Sequence, residues 1–153
     1  MPRSRTQIFV SYSHADAEWL KRLQVHLKPL ERAGLIDRWD DTKILSGMDW
    51  KKEIRKALDA ARVAVLLISA DFLASDFIAA DELPPLLAAA ETKGATILPL
   101  IVGLSLFEHT PELSRFQAVN PPSRPLKGLS EAEQDTILVA LANRIRELAG
   151  PKP

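Results

Sequence analysis

The sequence predicts an α/β fold in which a central parallel sheet of four to five strands carries helices on both faces. Short apolar runs alternate along the chain with segments whose apolar residues recur at helical spacing, which is the order of repeated βα units. The run at residues 63–68 is apolar throughout, which is typical of a central strand covered on both faces. With 153 residues, the chain has the length of one ordinary domain.

Four strands follow from the apolar runs. They are predicted at residues 8–12, 35–39, 63–68 and 96–102. Pro99 lies inside the fourth run, and because proline cannot donate a backbone hydrogen bond, we place this strand near an edge or an irregularity. Between Gly103 and Gly128 four prolines break the pattern, so we expect irregular chain with one short helix and a brief strand at residues 116–119.

Four helices separate and follow these strands. They are predicted at residues 19–30, 50–61, 81–92 and 130–150. Ser13 and Asp16 resemble a capping box for the first helix, with Asp in place of the usual Glu, and Pro29 is expected to end or kink that helix. Ser130 and Glu133 form the same motif at the start of the last helix.

Composition and charge exclude several classes of function. Twenty Lys plus Arg balance twenty Asp plus Glu, so no net positive charge attracts nucleic acid or an anionic membrane. No apolar run approaches the length that spans a bilayer, and the first apolar run is too short for a signal-peptide core, so we expect a cytoplasmic protein. The chain has no Cys, and its three His are far apart, so neither a metal nor a cofactor is expected.

Ligands of parallel α/β folds bind at the carboxyl ends of the strands. Here those ends lie at residues 12–16, 39–49, 69–82 and 102–105. Neither G-x-G-x-x-G after the first strand nor G-x-x-x-x-G-K-[ST] occurs, which argues against an ordinary dinucleotide fingerprint and against a P-loop. A phospho-acceptor receiver domain would have an Asp ending the third strand and a Lys ending the fourth, where this chain has Ser69 and Gly103.

Five short boxes in these loops point to one family. They are residues 8–13 with Asp16, residues 39–41 leading to 46–50, residues 63–69, Ser75-Asp76-Phe77 with Glu82-Leu83, and residues 97–100. In this order and spacing they resemble the TIR (Toll/interleukin-1 receptor) domain family in its prokaryotic form. The resemblance implies a flavodoxin-like sheet and a TIR domain at residues 6–149, with a short tail at 1–5 and a tail or linker stump at 150–153.

The resemblance implies one of two functions. Many TIR domains hydrolyse or cyclise NAD⁺ with release of nicotinamide once they have self-assembled, and this activity serves bacterial defence or stress signalling. Others are signalling adaptors that act only by association between TIR domains. In both cases the partners are further TIR domains, in a homo-oligomer or filament, and NAD⁺ enters as a substrate and not as a cofactor.

In the enzymatic members a glutamate after the third strand carries the reaction, and Glu82 is the matching residue. Loss of nicotinamide builds positive charge on the ribose, which a nearby carboxylate stabilises. Active relatives commonly place a Trp four residues before this Glu, whereas Phe77 lies five residues before Glu82 and four before Asp81. We expect Glu82 to act because it directly precedes the apolar Leu83, with Asp81 as second choice. From its position alone, Glu82 is more typical of a solvated first-turn residue.

Further substrate contacts are expected from the other strand ends. Tyr12, Ser13 and His14 are positioned to contact adenosine or phosphate, Trp39 to stack on a base, and Phe77 to line the site. Each of the first four has an ordinary structural alternative. Tyr12 ends a buried strand, Ser13 caps a helix, His14 is solvated, and Trp39 fills the core.

The loop at Leu45, Ser46 and Gly47 lies where TIR domains have a mobile segment that gates the pocket and contacts the next subunit. The resemblance therefore implies a role for these three residues in gating and self-association. The alternative is an ordinary surface turn.

Overall fold

The computed structural model describes residues 7–40, 50–75 and 83–149. Its strands are β1 (Gln7–Ser11), β2 (Asp37–Trp39), β3 (Ala61–Ile68) and β4 (Thr96–Ile101). Its α-helices are α1 (Ala17–Arg32), α2 (Trp50–Ala60), α3 (Ala70–Ala74), α4 (Leu83–Thr92), α5 (Pro111–Ser114) and α6 (Glu131–Ala149). Single 3-10 turns occur at His14–Asp16, Phe107–His109 and Leu126–Gly128. None of the described helices has the length and hydropathy needed to cross a bilayer.

The four strands form one parallel sheet in the order β2-β1-β3-β4. Helices α1 and α6 pack on one face, and α2 and α4 pack on the other. This confirms the predicted fold class. The predicted domain boundaries stay a prediction, because both tails lie outside the described residues.

Strand β3 is the centre of the core. Its last six residues have no exposed surface, and successive side chains enter opposite faces of the sheet. Ala64, Leu66 and Ile68 join the cluster beneath α2 and α4, whereas Val63, Val65 and Leu67 join the cluster beneath α1 and α6. Full burial of a Val, Leu or Ile side chain contributes about 1.5–3 kcal/mol, so both helical layers are held to this strand. The continuous apolar run in the sequence follows from this double burial.

Strand β4 lies at the edge of the sheet, as the proline within it predicted. The Pro99 carbonyl accepts a hydrogen bond from Val119 N–H at 2.8 Å on the outer side, so the missing N–H of Pro99 is not required for pairing with β3. At Ile101, two residues after Pro99, the backbone N–H donates to the Asn120 side chain at 2.9 Å, and the C=O accepts from it at 3.0 Å. An amide side chain thereby closes this part of the edge.

The predicted strand at residues 116–119 is wrong. The segment follows β4 without a ladder of backbone hydrogen bonds, because Asn120 supplies through its side chain the bonds that another strand would supply through its backbone. Asn120 Nδ2 also donates to Arg124 C=O at 3.0 Å, which fixes the return of the chain.

The prediction that Pro29 ends the first helix is wrong, and a kink at Pro29 stays a prediction. Helix α1 continues to Arg32, and Pro29 is exposed. The chain leaves the helix at Gly34, with φ +74°. Gly34 N–H donates to Glu31 C=O and Leu35 N–H to Leu30 C=O, both at 3.0 Å, which is a Schellman motif.

The capping box predicted for the last helix is confirmed. Ser130 Oγ accepts from Glu133 N–H, and Glu133 Oε1 accepts from Ser130 N–H, both at 3.2 Å. The hydrogen bonds from Ser130 hold the pKa of the Glu133 carboxyl below its usual value. Further along α6, Asp135 accepts from Arg22 Nη2 of α1 at 2.7 Å, and this hydrogen bond lowers the pKa of Asp135. The last helix is therefore joined to α1 by charge as well as by packing.

We expect Asn120→Ala to lower the free energy of unfolding by about 2–4 kcal/mol, because buried N–H and C=O groups left without partners cost about 1–3 kcal/mol each. Urea unfolding followed by circular dichroism measures the loss. Gln117→Ala is the matched control, since Gln117 is an exposed amide on the same segment, and its loss should stay below about 0.5 kcal/mol. Equal losses in the two variants would show that Asn120 does not close the edge.

Candidate functional site

The strand order defines where a ligand would bind. Chain connections run outward from β1 to β2 on one side and from β3 to β4 on the other, so the order changes direction between β1 and β3. In open parallel sheets the crevice at the carboxyl ends of such a strand pair is the usual ligand site. Residues 12–16, which follow β1, and residues 69–75, which follow β3, leave the sheet side by side at this crevice.

Three polar side chains meet at the base of the crevice. Asp16 has no exposed surface, and Ser69 is 2% exposed. Ser69 Oγ donates to Asp16 Oδ2 at 2.5 Å, and Lys127 Nζ donates to Asp16 Oδ1 at 3.3 Å. A buried carboxylate is stable only when it is paired and hydrogen-bonded, and Asp16 satisfies both conditions.

The capping box predicted for Ser13 and Asp16 is therefore wrong. Asp16 makes no side-chain capping bond to α1, because its carboxylate points into the protein. Asp16 lies four residues before Leu20 and seven before Leu23, and both leucines are buried. An acidic residue on the buried stripe of an amphipathic helix was the signal that could have identified Asp16. This signal is stronger than the spacing that suggested a capping box.

Ser69 also connects the crevice to the chain that follows β3. Its hydroxyl accepts from Phe72 N–H at 3.1 Å and so caps the N-terminus of α3. This helix lies within the connection predicted after the third strand. Phe72 is buried in the core cluster beneath α2 and α4, which fixes the other side of the short helix.

Lys127 brings the end of β4 into the same cluster. Its backbone N–H donates to Val102 C=O at 3.0 Å, directly after β4. Its side chain is about half exposed and reaches Asp16 from the rim. Segments following β1, β3 and β4 thus converge on one carboxylate, and none of these pairings was predicted from the sequence.

The candidate residues of the first loop lie at the same edge. Ser13 Oγ accepts from Ala15 N–H at 3.3 Å, so Ser13 is a cap, although of the 3-10 turn and not of α1. His14 is exposed, and its ring centroid lies 5.6 Å from that of Tyr12. Tyr12 packs partly buried against the cluster beneath α1 and α6. The structure brings these three residues together, and their contacts with substrate stay predictions.

Trp39 ends β2 on the other side of β1. Its indole stacks on Phe9, with centroids 5.3 Å apart and planes 9° from parallel. One face of the ring therefore belongs to the core, and the residue is only partly buried. The adjacent Asp40 is fully buried and paired with Arg38, which also donates to Glu31 at 3.3 Å. The end of β2 therefore carries charge pairing that the sequence analysis did not anticipate.

The remaining candidates lie outside the described residues. These are Glu82, Asp81 and Phe77 of the proposed catalytic segment, and Leu45, Ser46 and Gly47 of the proposed gating loop. Their roles stay predictions. Leu83, the first described residue after Glu82, begins α4 and is fully buried, so the chain after Glu82 is anchored in the core. Across the described ranges, no three acidic or histidine side chains are grouped as metal ligands.

A groove of about 530 Å³ lies at the opposite end of β4. Thr96, Ile97 and Leu98 form its floor, and Arg115 and Arg144 flank it. None of the predicted site residues within the described ranges lines this groove. It is a separate surface feature and does not belong to the candidate site.

We expect Lys127→Met to destabilise the fold by about 2–4 kcal/mol, because it leaves the buried Asp16 carboxylate without its cation. Lys93→Met is the matched control: Lys93 is similarly exposed, but its partner Asp59, at 2.8 Å, is 47% exposed. Exposed pairs contribute about 0.2–1 kcal/mol, so this control should lose little. The midpoint of urea unfolding measures both, and a loss in Lys127→Met no larger than in the control would contradict the pairing.

Comparison with known proteins identifies a family and a relative. The family model described as TIR domain matches residues 8–134. The protein y4lF of Sinorhizobium fredii is 31% identical over 143 residues, which are 94% of this chain and 43% of that protein. The chain therefore spans less than half the length of this relative.

Two solved structures share the fold. The TIR domain of the Toll-related receptor TRR-2 from Hydra magnipapillata superposes with a TM-score of 0.58 at 16% identity, over 92% of this chain and 96% of that one. The TIR domains of the activated Roq1 resistosome, which recognises the pathogen effector XopQ, give 0.53 at 18% identity, over 96% and 85%. At these identities the likeness concerns the fold alone.

Proposed function

Since the chain belongs to the TIR-domain family, we propose that it cleaves the bond between nicotinamide and ribose in NAD⁺ when several copies are assembled. In this proposal Glu82 is the catalytic carboxylate, with Asp81 as second choice. The first loop, residues 12–14, contacts the rest of the substrate. The reaction belongs in the cytoplasm, in bacterial defence or stress signalling.

The observation that carries the proposal is the direct contact between the two halves of the crevice. The hydrogen bond from Ser69 to Asp16 joins the chain after β3 to the loop after β1. The chain after β3 leads along the sequence to Glu82, and the loop after β1 contains Tyr12, Ser13 and His14. Both halves therefore border one crevice, which supports a shared site for NAD⁺.

The start of α4 supports a role for Glu82 other than helix capping. A capping side chain bonds to the N–H of the second or third helical residue. With Leu83 as the first helical residue, those two positions are Pro84 and Pro85, and proline has no N–H. The ordinary structural explanation for an acidic residue before a helix is weakened here. The helix dipole still favours the ionised carboxylate.

An ionised carboxylate suits the chemistry. When the C1′–N bond breaks, its electron pair moves to the nicotinamide ring nitrogen, which loses its positive charge, so no general acid is needed. Positive charge develops on the ribose instead, and a fixed carboxylate beside the sugar stabilises that charge and accepts hydrogen bonds from the ribose hydroxyls. Water attack at C1′ releases a proton and gives ADP-ribose, and attack by an adenine nitrogen gives a cyclic product.

The second candidate function is a non-catalytic adaptor that acts only by association between TIR domains. The position of Phe77 favours it, because relatives with activity commonly have a Trp four residues before the catalytic Glu. In this case Leu45, Ser46 and Gly47 form a contact surface and nothing else. The two functions differ in one measurable product, nicotinamide.

We expect clustering of the protein on beads to produce nicotinamide release from NAD⁺, and Glu82→Ala to lower the rate by about 100-fold or more, as for the loss of other electrostatic contacts to a transition state. Asp81→Ala tests the second choice. Glu91→Ala, which removes an exposed Glu near the end of α4, is the control. Loss of activity in Asp81→Ala alone would transfer the role to Asp81, and absence of release from the clustered wild type would leave the adaptor function.

We expect Gly47→Pro to reduce self-association, because a fixed φ and a missing N–H alter the loop. Light scattering as a function of protein concentration measures the effect, and an unchanged circular dichroism spectrum establishes that the fold is retained. The milder Gly47→Ala should give a smaller reduction. Scattering by Gly47→Pro equal to that of the wild type would exclude this loop from the interface.

A further inference from the structure

We propose that Asp16, Ser69 and Lys127 are positioning residues, which hold the connection carrying Glu82 in register with the substrate loop at residues 12–14. The proposal rests on the function proposed above. It assigns a role to the Asp16 carboxylate and to the two residues that donate hydrogen bonds to it. Their contacts are those already described, at 2.5 Å and 3.3 Å from the Asp16 carboxylate.

The Ser69 hydroxyl is the link between the two segments. It has one proton, which it donates to Asp16, so its lone pairs remain for Phe72 N–H. A charged acceptor polarises the hydroxyl and strengthens the bond that it accepts. The capping of α3 is thereby tied to a carboxylate on the loop after β1. Loss of the bond to Asp16 or of the bond from Phe72 N–H would free the Ser69 hydroxyl to rotate and would weaken the remaining bond.

Helix α3 depends on this cap more than a longer helix would. It has five residues, which is too short for helix formation to be favourable without tertiary contacts. Its described anchors are the Ser69 cap, the buried Phe72 ring and the partly buried Leu73. On the far side of Glu82, the buried Leu83 anchors the chain again. Along the chain, Glu82 lies between these two described anchor points, α3 and Leu83.

Lys127 supplies the countercharge for the Asp16 carboxylate, which accepts the hydrogen bond from Ser69. Asp16 is fully buried, so its charge needs a cation, and Lys127 is the cation that contacts it. The Lys127 backbone is bonded to Val102, so the ammonium reaches Asp16 from a fixed origin after β4. Loss of this cation would leave the acceptor of the Ser69 hydrogen bond as a buried carboxylate without its countercharge.

A positioning role predicts a specific kinetic signature. Misplacement of a catalytic group by about 1 Å costs on the order of 100-fold in rate. We expect Ser69→Ala in the clustered full chain to lower kcat for nicotinamide release by about 10- to 100-fold with KM for NAD⁺ changed by less than about 3-fold. Lys127→Met should act in the same direction. Ser69→Thr and Lys127→Arg, which retain the hydroxyl and the cation, should recover most of the lost kcat.

Ser130→Ala is the matched control, because it removes the same kind of cap from α6 and leaves the crevice unchanged. Its kcat should stay within about 2-fold of the wild type. Amide hydrogen exchange at Phe72 supplies a readout that does not depend on NAD⁺. Ser69→Ala should raise that exchange rate by about 10-fold or more, and Ser130→Ala should not.

The two readouts separate the possible failures. Absence of turnover in the clustered wild type would overturn the proposed function, while the exchange rate would still report whether Ser69 holds α3. Unchanged Phe72 exchange in Ser69→Ala would overturn the positioning link itself. Raised Phe72 exchange in Ser69→Ala with unchanged kcat would show that the three residues have only a structural role, which would also overturn the proposal. Lowered kcat with raised exchange, recovered in the conservative variants, is the expected result.

Discussion

The burial of β3 on both faces is the constraint from which the rest of this structure follows. Because its side chains enter two helical layers, the strand cannot shift along its axis without displacing both of them. Strand β1 pairs with it in parallel over residues from Gln7 to Ser11, so the ends of the two strands are fixed together. This strand pair therefore fixes where the loop after β1 and the chain after β3 leave the sheet at its carboxyl edge.

The parts of the fold that local chemistry decides could be predicted from the sequence. An unbroken apolar run identified β3, the spacing of Ser130 and Glu133 identified the start of α6, and a proline placed β4 at an edge. Each of these signals depends on a few neighbouring residues. Prediction failed where a contact between residues far apart in the sequence decides the outcome. The Asn120 side chain bonds to Ile101, 19 residues earlier, in place of the predicted strand at residues 116–119.

The candidate site divides in the same way. Tyr12, Ser13 and His14 were placed correctly at the carboxyl edge, because the end of a strand is visible in the sequence. The partners of Asp16 could not be predicted, because Ser69 and Lys127 are 53 and 111 residues away along the chain. A spacing that matched a helix cap suggested a local partner. Asp16 pairs with these distant residues because a carboxylate on the buried stripe has no access to water and needs protein partners.

The closed edge of β4 bears on how copies of this protein can be brought together. Exposed strand edges recruit further strands, and this is the common route from high concentration to irreversible cross-β aggregates. Here Pro99 offers no donor on the outer side, and Asn120 occupies both groups of Ile101. The part of the β4 edge around Pro99 and Ile101 is therefore withheld from pairing with a strand of another copy.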